Sequence, residues 1–228
     1  VLVTVTTGPA ISTGGSLSAF TACQGSDGTS QSFTVSGSNL TNDISVAPPS
    51  GYEISTTSNF ASNVAIGASG QSLTLAQSGG TVNSTTIYAR LTSSASNGAS
   101  GDISCTTTGG TTVNLATGSG TVTTPPNAGT LSGTEAICSN GSTTFSSNGD
   151  SGGAWSSATT GVATIDGASG AITPVAAGSS VITYEVTGTG GCSNASATRT
   201  VTVTAVPNAG TLSGTEAACI GGSVVTFT

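Results

Sequence analysis

Histidine, lysine and methionine are absent from this 228-residue chain, and the only cations are Arg90 and Arg199. Without histidine, Ser-His-Asp and Cys-His catalysis and imidazole metal sites are excluded. Without lysine there is no Schiff-base chemistry. Charged residues make up 5% of the chain, against roughly a quarter in ordinary soluble domains. A net charge of −7 leaves no basic patch for nucleic acid or an anionic membrane surface. No run of about eighteen apolar residues is present to form a membrane-spanning helix. Aromatics are 4%, with Trp155 the one tryptophan.

Gly, Ser, Thr, Ala and Val take the places that these residues leave. Thr and Val favour strands, whereas Gly and Ser disfavour helix interiors. The apolar residues come as Val, Ile, Leu and Phe in short alternating runs, which is too regular for a disordered chain.

An internal repeat sets the organisation. Pro126-Asn-Ala-Gly-Thr-Leu-Ser-Gly-Thr-Glu-Ala-Ile-Cys138 recurs as Pro207-Asn-Ala-Gly-Thr-Leu-Ser-Gly-Thr-Glu-Ala-Ala-Cys219, with twelve of thirteen positions identical at an offset of 81 residues. One module therefore spans 125–205, and a further copy begins at 206–228. Inside 125–205, period-two segments bounded by Gly, Asn and Ser carry Phe145, Trp155, Ile165, Ile172, then Ile182, Tyr184 and Val186, then Val201 and Val203. Many short strands in about eighty residues predict a β-sandwich.

Residues 7–124 read the same way over a longer span. Candidate strands there are 32–36, 43–47, 52–55, 71–76, 85–91, 101–106 and 111–116. In 85–91, Ile87, Ala89 and Leu91 are expected inward, Tyr88 and Arg90 outward. Residues 1–6, Val-Leu-Val-Thr-Val-Thr, look like Val201-Thr-Val-Thr204 and are expected to close a preceding module. The joints Thr7-Gly-Pro9, Thr124-Pro-Pro126 and Ala205-Val-Pro207 are proline-stiffened. The expected architecture is all-β, with tandem immunoglobulin-like sandwich modules in an extended array.

Trp155-Ser-Ser157, Val162-Ala-Thr-Ile-Asp166, Gly170-Ala-Ile-Thr-Pro-Val175 and Ile182-Thr-Tyr184 resemble the bacterial immunoglobulin-like (Big-type) repeats of surface adhesins. Ser32-Phe-Thr-Val-Ser-Gly-Ser-Asn-Leu-Thr41, Pro49-Ser-Gly-Tyr-Glu-Ile-Ser55 and Thr86-Ile-Tyr-Ala-Arg-Leu91 resemble modules of very large secreted proteins of Bacteroidetes-type bacteria, including gliding-motility adhesins. The resemblance implies an extracellular, cell-surface stalk or filament segment that spaces a distal binding region from the cell. Its partners would be neighbouring modules and, through regions outside this chain, a host or substratum surface. A glycan- or protein-binding module, or a spacer in a secreted hydrolase, are the alternatives.

No catalytic residue, cofactor or metal site is expected. The carboxylates Asp27, Asp43, Glu53, Asp102, Glu135, Asp150, Asp166, Glu185 and Glu216 are scattered, and Asn148-Gly-Asp150 and Asp166-Gly read as turns before they read as calcium ligands. Trp155, at the start of a strand, is expected in the core with Ile182 and Tyr184. Cys138 and Cys219 are the same repeat position, so each is expected to pair inside its own module. The expected bridges are Cys138–Cys192 and Cys23–Cys105, with Cys219 awaiting a partner beyond Thr228.

Overall fold

The structure, a computed structural model, describes residues 7–211 and 213. The expectations for residues 1–6, for Cys219 and for most of 206–228 lie outside the described residues. The chain clusters into two compact units: residues up to Asn127 together with Val186–Ala195, and Ala128–Glu185 together with the residues from Ser196. Val186–Ala195, which the sequence places inside the second module, thus belongs to the first unit.

The first unit is built from β1 (Ala10–Gly14), β2 (Thr21–Cys23), β3 (Gln31–Ser38), β4 (Ile44–Ala47), β5 (Tyr52–Ser55), β6 (Val64–Ile66), β7 (Leu73–Leu75), β8 (Val82–Leu91), β9 (Asp102–Thr106), β10 (Val113–Ala116) and β11 (Thr121–Thr123). One sheet has the order β1-β3-β8-β5-β6 and the other β10-β9-β4-β7, while β2 and β11 pair in parallel. Strict alternation turns Phe33 and Val35 of β3, Ile44 and Val46 of β4, Ile87, Ala89 and Leu91 of β8, and Ile103 and Cys105 of β9 into one core. Tyr52 closes one end, its ring edge-on to Phe20 at 5.2 Å and its hydroxyl donating to the Ala99 carbonyl at 3.1 Å. Fully burying such a side chain stabilises by roughly 1.5–3 kcal/mol.

The second unit contains β12 (Leu131–Ser132), β13 (Ala136–Cys138), β14 (Thr143–Thr144), β15 (Ser146–Ser147), β16 (Ala154–Ser157), β17 (Ala163–Ile165), β18 (Ala171–Pro174), β19 (Gly178–Val186) and β20 (Ala195–Thr204). Its larger sheet is β13-β20-β19-β16 and its smaller one β14-β18-β17, with β12 paired to β15. Phe145, Trp155, Ala163, Ile172, Ile182, Tyr184, Val201 and Val203 are among its buried apolar side chains, with Ala128, Leu131 and Ile137 from the repeated segment.

Both units share one topological device. The first strand pairs antiparallel on one sheet (β1 with β3, β12 with β15), then crosses and continues as a strand parallel to the last one (β2 with β11, β13 with β20). The crossing needs a backbone that few residues adopt. Gly15 at φ 91° makes it in the first unit and Gly133 at φ 134° in the second, where a Cβ would collide with Phe145. This is an immunoglobulin-like sandwich in each unit, all-β, and the only helical element among the described residues is the 3-10 turn Gly67–Ser69. No described helix is long and apolar enough to cross a membrane. The strands β1, β2, β6, β11, β12 and β13 were not expected from sequence, because runs of two to five residues with one inward side chain carry too little periodicity to stand out.

Candidate functional site

Among the described residues, three clusters of chemically distinctive side chains occur, and the cysteines come first. The disulfide joins Cys23, the last residue of β2, to Cys192 in the turn between β19 and β20, with a Cα separation of 4.8 Å. Cys105 is a buried thiol and Cys138 an exposed one. Both expected bridges, Cys23–Cys105 and Cys138–Cys192, are therefore corrected, for two physical reasons. Ala22 faces the first core, so its neighbour Cys23 points away from it, whereas Cys105 is fully buried within it. Cys138 lies opposite Thr204 at one end of β20, and Cys192 precedes Ala195 at the other. A strand from Ala195 to Thr204 spans about 30 Å. A disulfide tolerates Cα atoms no more than about 7 Å apart.

The turn that presents Cys192 is ordered by its own hydrogen bonds. The Cys192 N–H donates to the Thr189 carbonyl at 3.0 Å, and the Gly188 N–H donates to Asn194 Oδ1 at 2.9 Å. Burial pushes the Cys105 thiol up to about 11, so at neutral pH it is neither nucleophile nor ligand.

The arginines form the second cluster type, and each is held within its own unit. On the outer face of the larger first sheet, Arg90 pairs with Glu53 directly across the β5–β8 register at 2.6 Å. The same guanidinium reaches Asp27 at 2.8 Å and stacks over the Phe60 ring at 4.0 Å. Glu53 and Ser55 are buried although they face away from the core, because Arg90, Phe60 and the 56–63 loop cover that side of β5. In the second unit Arg199 donates to the Leu131 carbonyl at 2.9 Å and the Gly133 carbonyl at 3.1 Å, and pairs with Glu135 at 3.3 Å. It clamps the strand crossing, where the backbone leaves one sheet for the other. Glu135 of the repeated segment is thus used structurally.

The third cluster surrounds Trp155. It is 8% exposed and tilted against Tyr184 at 4.7 Å, with Ile182 fully buried in the same sheet. The Tyr184 hydroxyl donates to the Asp150 carbonyl at 2.8 Å and accepts the Gly153 N–H at 2.9 Å. A shallow cleft of about 550 Å³ opens beside them, lined also by Phe145, Asp150 and small side chains of the 146–153 and 167–169 turns. A second cleft of about 610 Å³ is lined by Gln24, Gly25, Ser93 to Asn97, Val122 and Thr124, mostly small polar side chains. Asp166 holds a turn: its Oδ1 accepts from the Ser169 hydroxyl and N–H, both at 2.7 Å, and from the Ala168 N–H at 3.2 Å. These bonds hold its carboxyl below the usual carboxylate range. Asn148 likewise accepts from the Thr130 N–H at 2.7 Å. Among the described residues, no three His, Cys, Asp or Glu side chains come together as a metal site would require.

The fold class is the immunoglobulin-like sandwich, an architecture that hosts many unrelated functions. No family model matches the chain, and no curated protein matches it. Among solved structures it is similar to the C-terminal 282-residue fragment of intimin, solved in complex with the intimin-binding domain of the translocated intimin receptor. The identity is 14% and the TM-score 0.36, over 75% of this chain and 58% of that one. It is also similar to the I9–I11 tandem of titin, at 13% identity and a TM-score of 0.26, over 89% of this chain and 69% of that one. The fold assignment rests on the strand order described above.

Proposed function

We propose that the chain is a stalk segment of a secreted, cell-surface repeat protein, in which modules 7–124 and 125–205 space a distal region from the cell, as its resemblance to Big-type adhesin repeats implies. The observation that carries this reading is the Cys23–Cys192 bridge. Cys23 sits beside the closing strand of its unit, paired in the β2–β11 ladder, and Cys192 sits in a strand-connecting turn of the repeat that follows. The bridge fixes the turn 186–195, which in sequence belongs to the following repeat, into the first unit by a covalent bond. Such a bridge persists in oxidising surroundings, which suits the extracellular side. Both arginines are held by backbone and carboxylates within their own units, leaving trypsin-like proteases little to grip.

The reading includes no enzymatic role: the two carboxylates that the fold brings together, Asp27 and Glu53, are both paired with Arg90. Its partners are neighbouring modules, with any host or substratum surface met through other regions. Small-angle scattering tests it: an elongated particle with and without reductant is expected for proline-stiffened modules in line. A compact profile would overturn the stalk, and saturable micromolar binding of a glycan or surface protein by this chain would favour a binding module instead.

A further inference from the structure

Cys23 and Cys138 hold the same place in the two units. Each ends the short strand that runs parallel to its unit's closing strand, Cys23 opposite Thr123 and Cys138 opposite Thr204. The next residue donates its N–H to that closing-strand carbonyl in both cases, Gln24 to Thr123 and Ser139 to Thr204, each at 2.8 Å. The turn that follows donates back to the cysteine carbonyl in both, Ser26 to Cys23 and Gly141 to Cys138, each at 2.9 Å. The preceding residue, Ala22 or Ile137, is buried, so alternation points both sulfurs outward. One of these two matched sulfurs is bonded to Cys192, and the other is exposed.

The partner side is also a repeated position. Thr189-Gly-Gly-Cys192 stands 81 residues after Thr108-Gly-Gly-Thr111, the turn between β9 and β10 of the first unit, which is the same offset as the long repeat. A module of this chain therefore has an outgoing position beside its closing strand and an incoming position in the turn before it. The second module carries cysteine at both, whereas the first has Thr111 at the incoming one.

We propose that Cys138 is the outgoing half of a second bridge, closed by a cysteine in the corresponding turn of a following copy of the module, the copy that opens at Pro207. The partner is a thiol of stated place, 81 residues after Cys192 in the repeat numbering. Closure is an exchange with glutathione disulfide or a disulfide-bearing oxidoreductase. The incoming cysteine first forms a mixed disulfide and releases one glutathione thiol. The Cys138 thiolate then attacks that cysteine's sulfur and releases the second. Two thiols lose two protons and two electrons, and one glutathione disulfide becomes two glutathiones. The pairing stands apart from the stalk reading, because it is mapped by chemistry whatever the shape of the chain.

The test is a lengthened chain in which residue 219 is followed by a second copy of 139–205, oxidised in a glutathione buffer. Non-reducing peptide mapping should join Cys138 to the appended copy of Cys192, beside an unchanged Cys23–Cys192. A parallel chain with threonine in the appended turn should leave Cys138 open to alkylation, at least a hundredfold faster than in the first chain. If both chains melt alike and Cys138 stays free in both, or pairs with Cys219, the proposal is wrong. A second measurement needs no third module. A peptide of residues 186–195, activated at Cys192 as a thionitrobenzoate disulfide, should be captured by Cys138 of the present chain at least tenfold faster than a scrambled peptide of the same composition. Equal rates would also overturn it.

Discussion

The two units reach one topology by different means. The first closes a continuous core under two broad sheets, deep enough to bury Tyr52, Phe20 and Phe33 completely and to enclose a thiol at Cys105. The second has shorter strands on its smaller sheet, and its core centres on Phe145, Trp155 and Ile182. The strand crossing differs likewise. In the first unit β1 pairs with β3 over five positions, whereas in the second β12 pairs with β15 over two and Arg199 clamps the carbonyls of Leu131 and Gly133. Where apolar burial is thin, the Arg199 clamp supplies what the core does not. A small sandwich has too little interior to be held by burial alone.

Removing the Cys23–Cys192 bridge, which lies within the first unit, should have the largest effect on that comparison. Closing a loop of 169 residues between Cys23 and Cys192 stabilises by up to about 5 kcal/mol in the chain-entropy model. Cys23→Ser should therefore lower the thermal midpoint as much as reductant lowers that of the parent, while Cys138→Ser changes nothing. An equal loss in both variants would show that the bridge is not the asymmetry between the two matched sulfurs.

Trp155→Phe and Trp155→Ala probe the thin core. The alanine variant should cost roughly 3–5 kcal/mol and unfold the second unit first, leaving a separate transition for the first unit in calorimetry. The same cost spread over one shared transition would mean that the two units unfold as one. In the parent, tryptophan fluorescence reports on the second unit alone, since Trp155 is the only tryptophan.

A smaller effect is expected at Arg90. Arg90→Met leaves the buried Glu53 carboxylate facing an uncharged chain, at a cost of roughly 2 kcal/mol. The double variant Arg90→Met with Glu53→Leu should recover most of that loss in urea unfolding. Failure to recover would mean that the Phe60 stacking, and not the ion pair, holds the 56–63 loop.

Thiol labelling sharpens the contrast without altering stability. At pH 8, Cys138 should react with an aromatic disulfide reagent at once, and Cys105, held at about 11 by burial, only as the first unit opens. The smallest effect is at Asp166. Its carboxyl is held low by Ser169 and Ala168, so its stabilisation is full above the unfolded carboxylate range and fades as pH falls through the folded value. Asp166→Ala should thus differ from the parent at neutral pH, and the two melting curves should converge in acid.

Much of the fold was legible from the residues alone. The repeat from Pro126 to Cys138, the alternation in Thr85 to Leu91 and in Val181 to Val186, and the lack of helix-forming segments were enough to place a β-sandwich in each module, because period-two burial is a local property of the chain. Trp155, Ile182 and Tyr184 are read as inward from the same parity, and the structure buries all three. The sulfur pairing was not legible. A repeated cysteine says that a position recurs, but not which way the strand faces or which end of β20 it meets. Those depend on the parallel pairing of β13 with β20 and of β2 with β11, formed between segments 66 to 100 residues apart. The Arg90–Glu53–Asp27 cluster was hidden for the same reason: the three residues share no local spacing, and only the β5–β8 register brings two of them face to face. Composition and periodicity decided what kind of surface each strand would bury, and the tertiary structure decided which ends of those strands, and so which sulfurs, would meet.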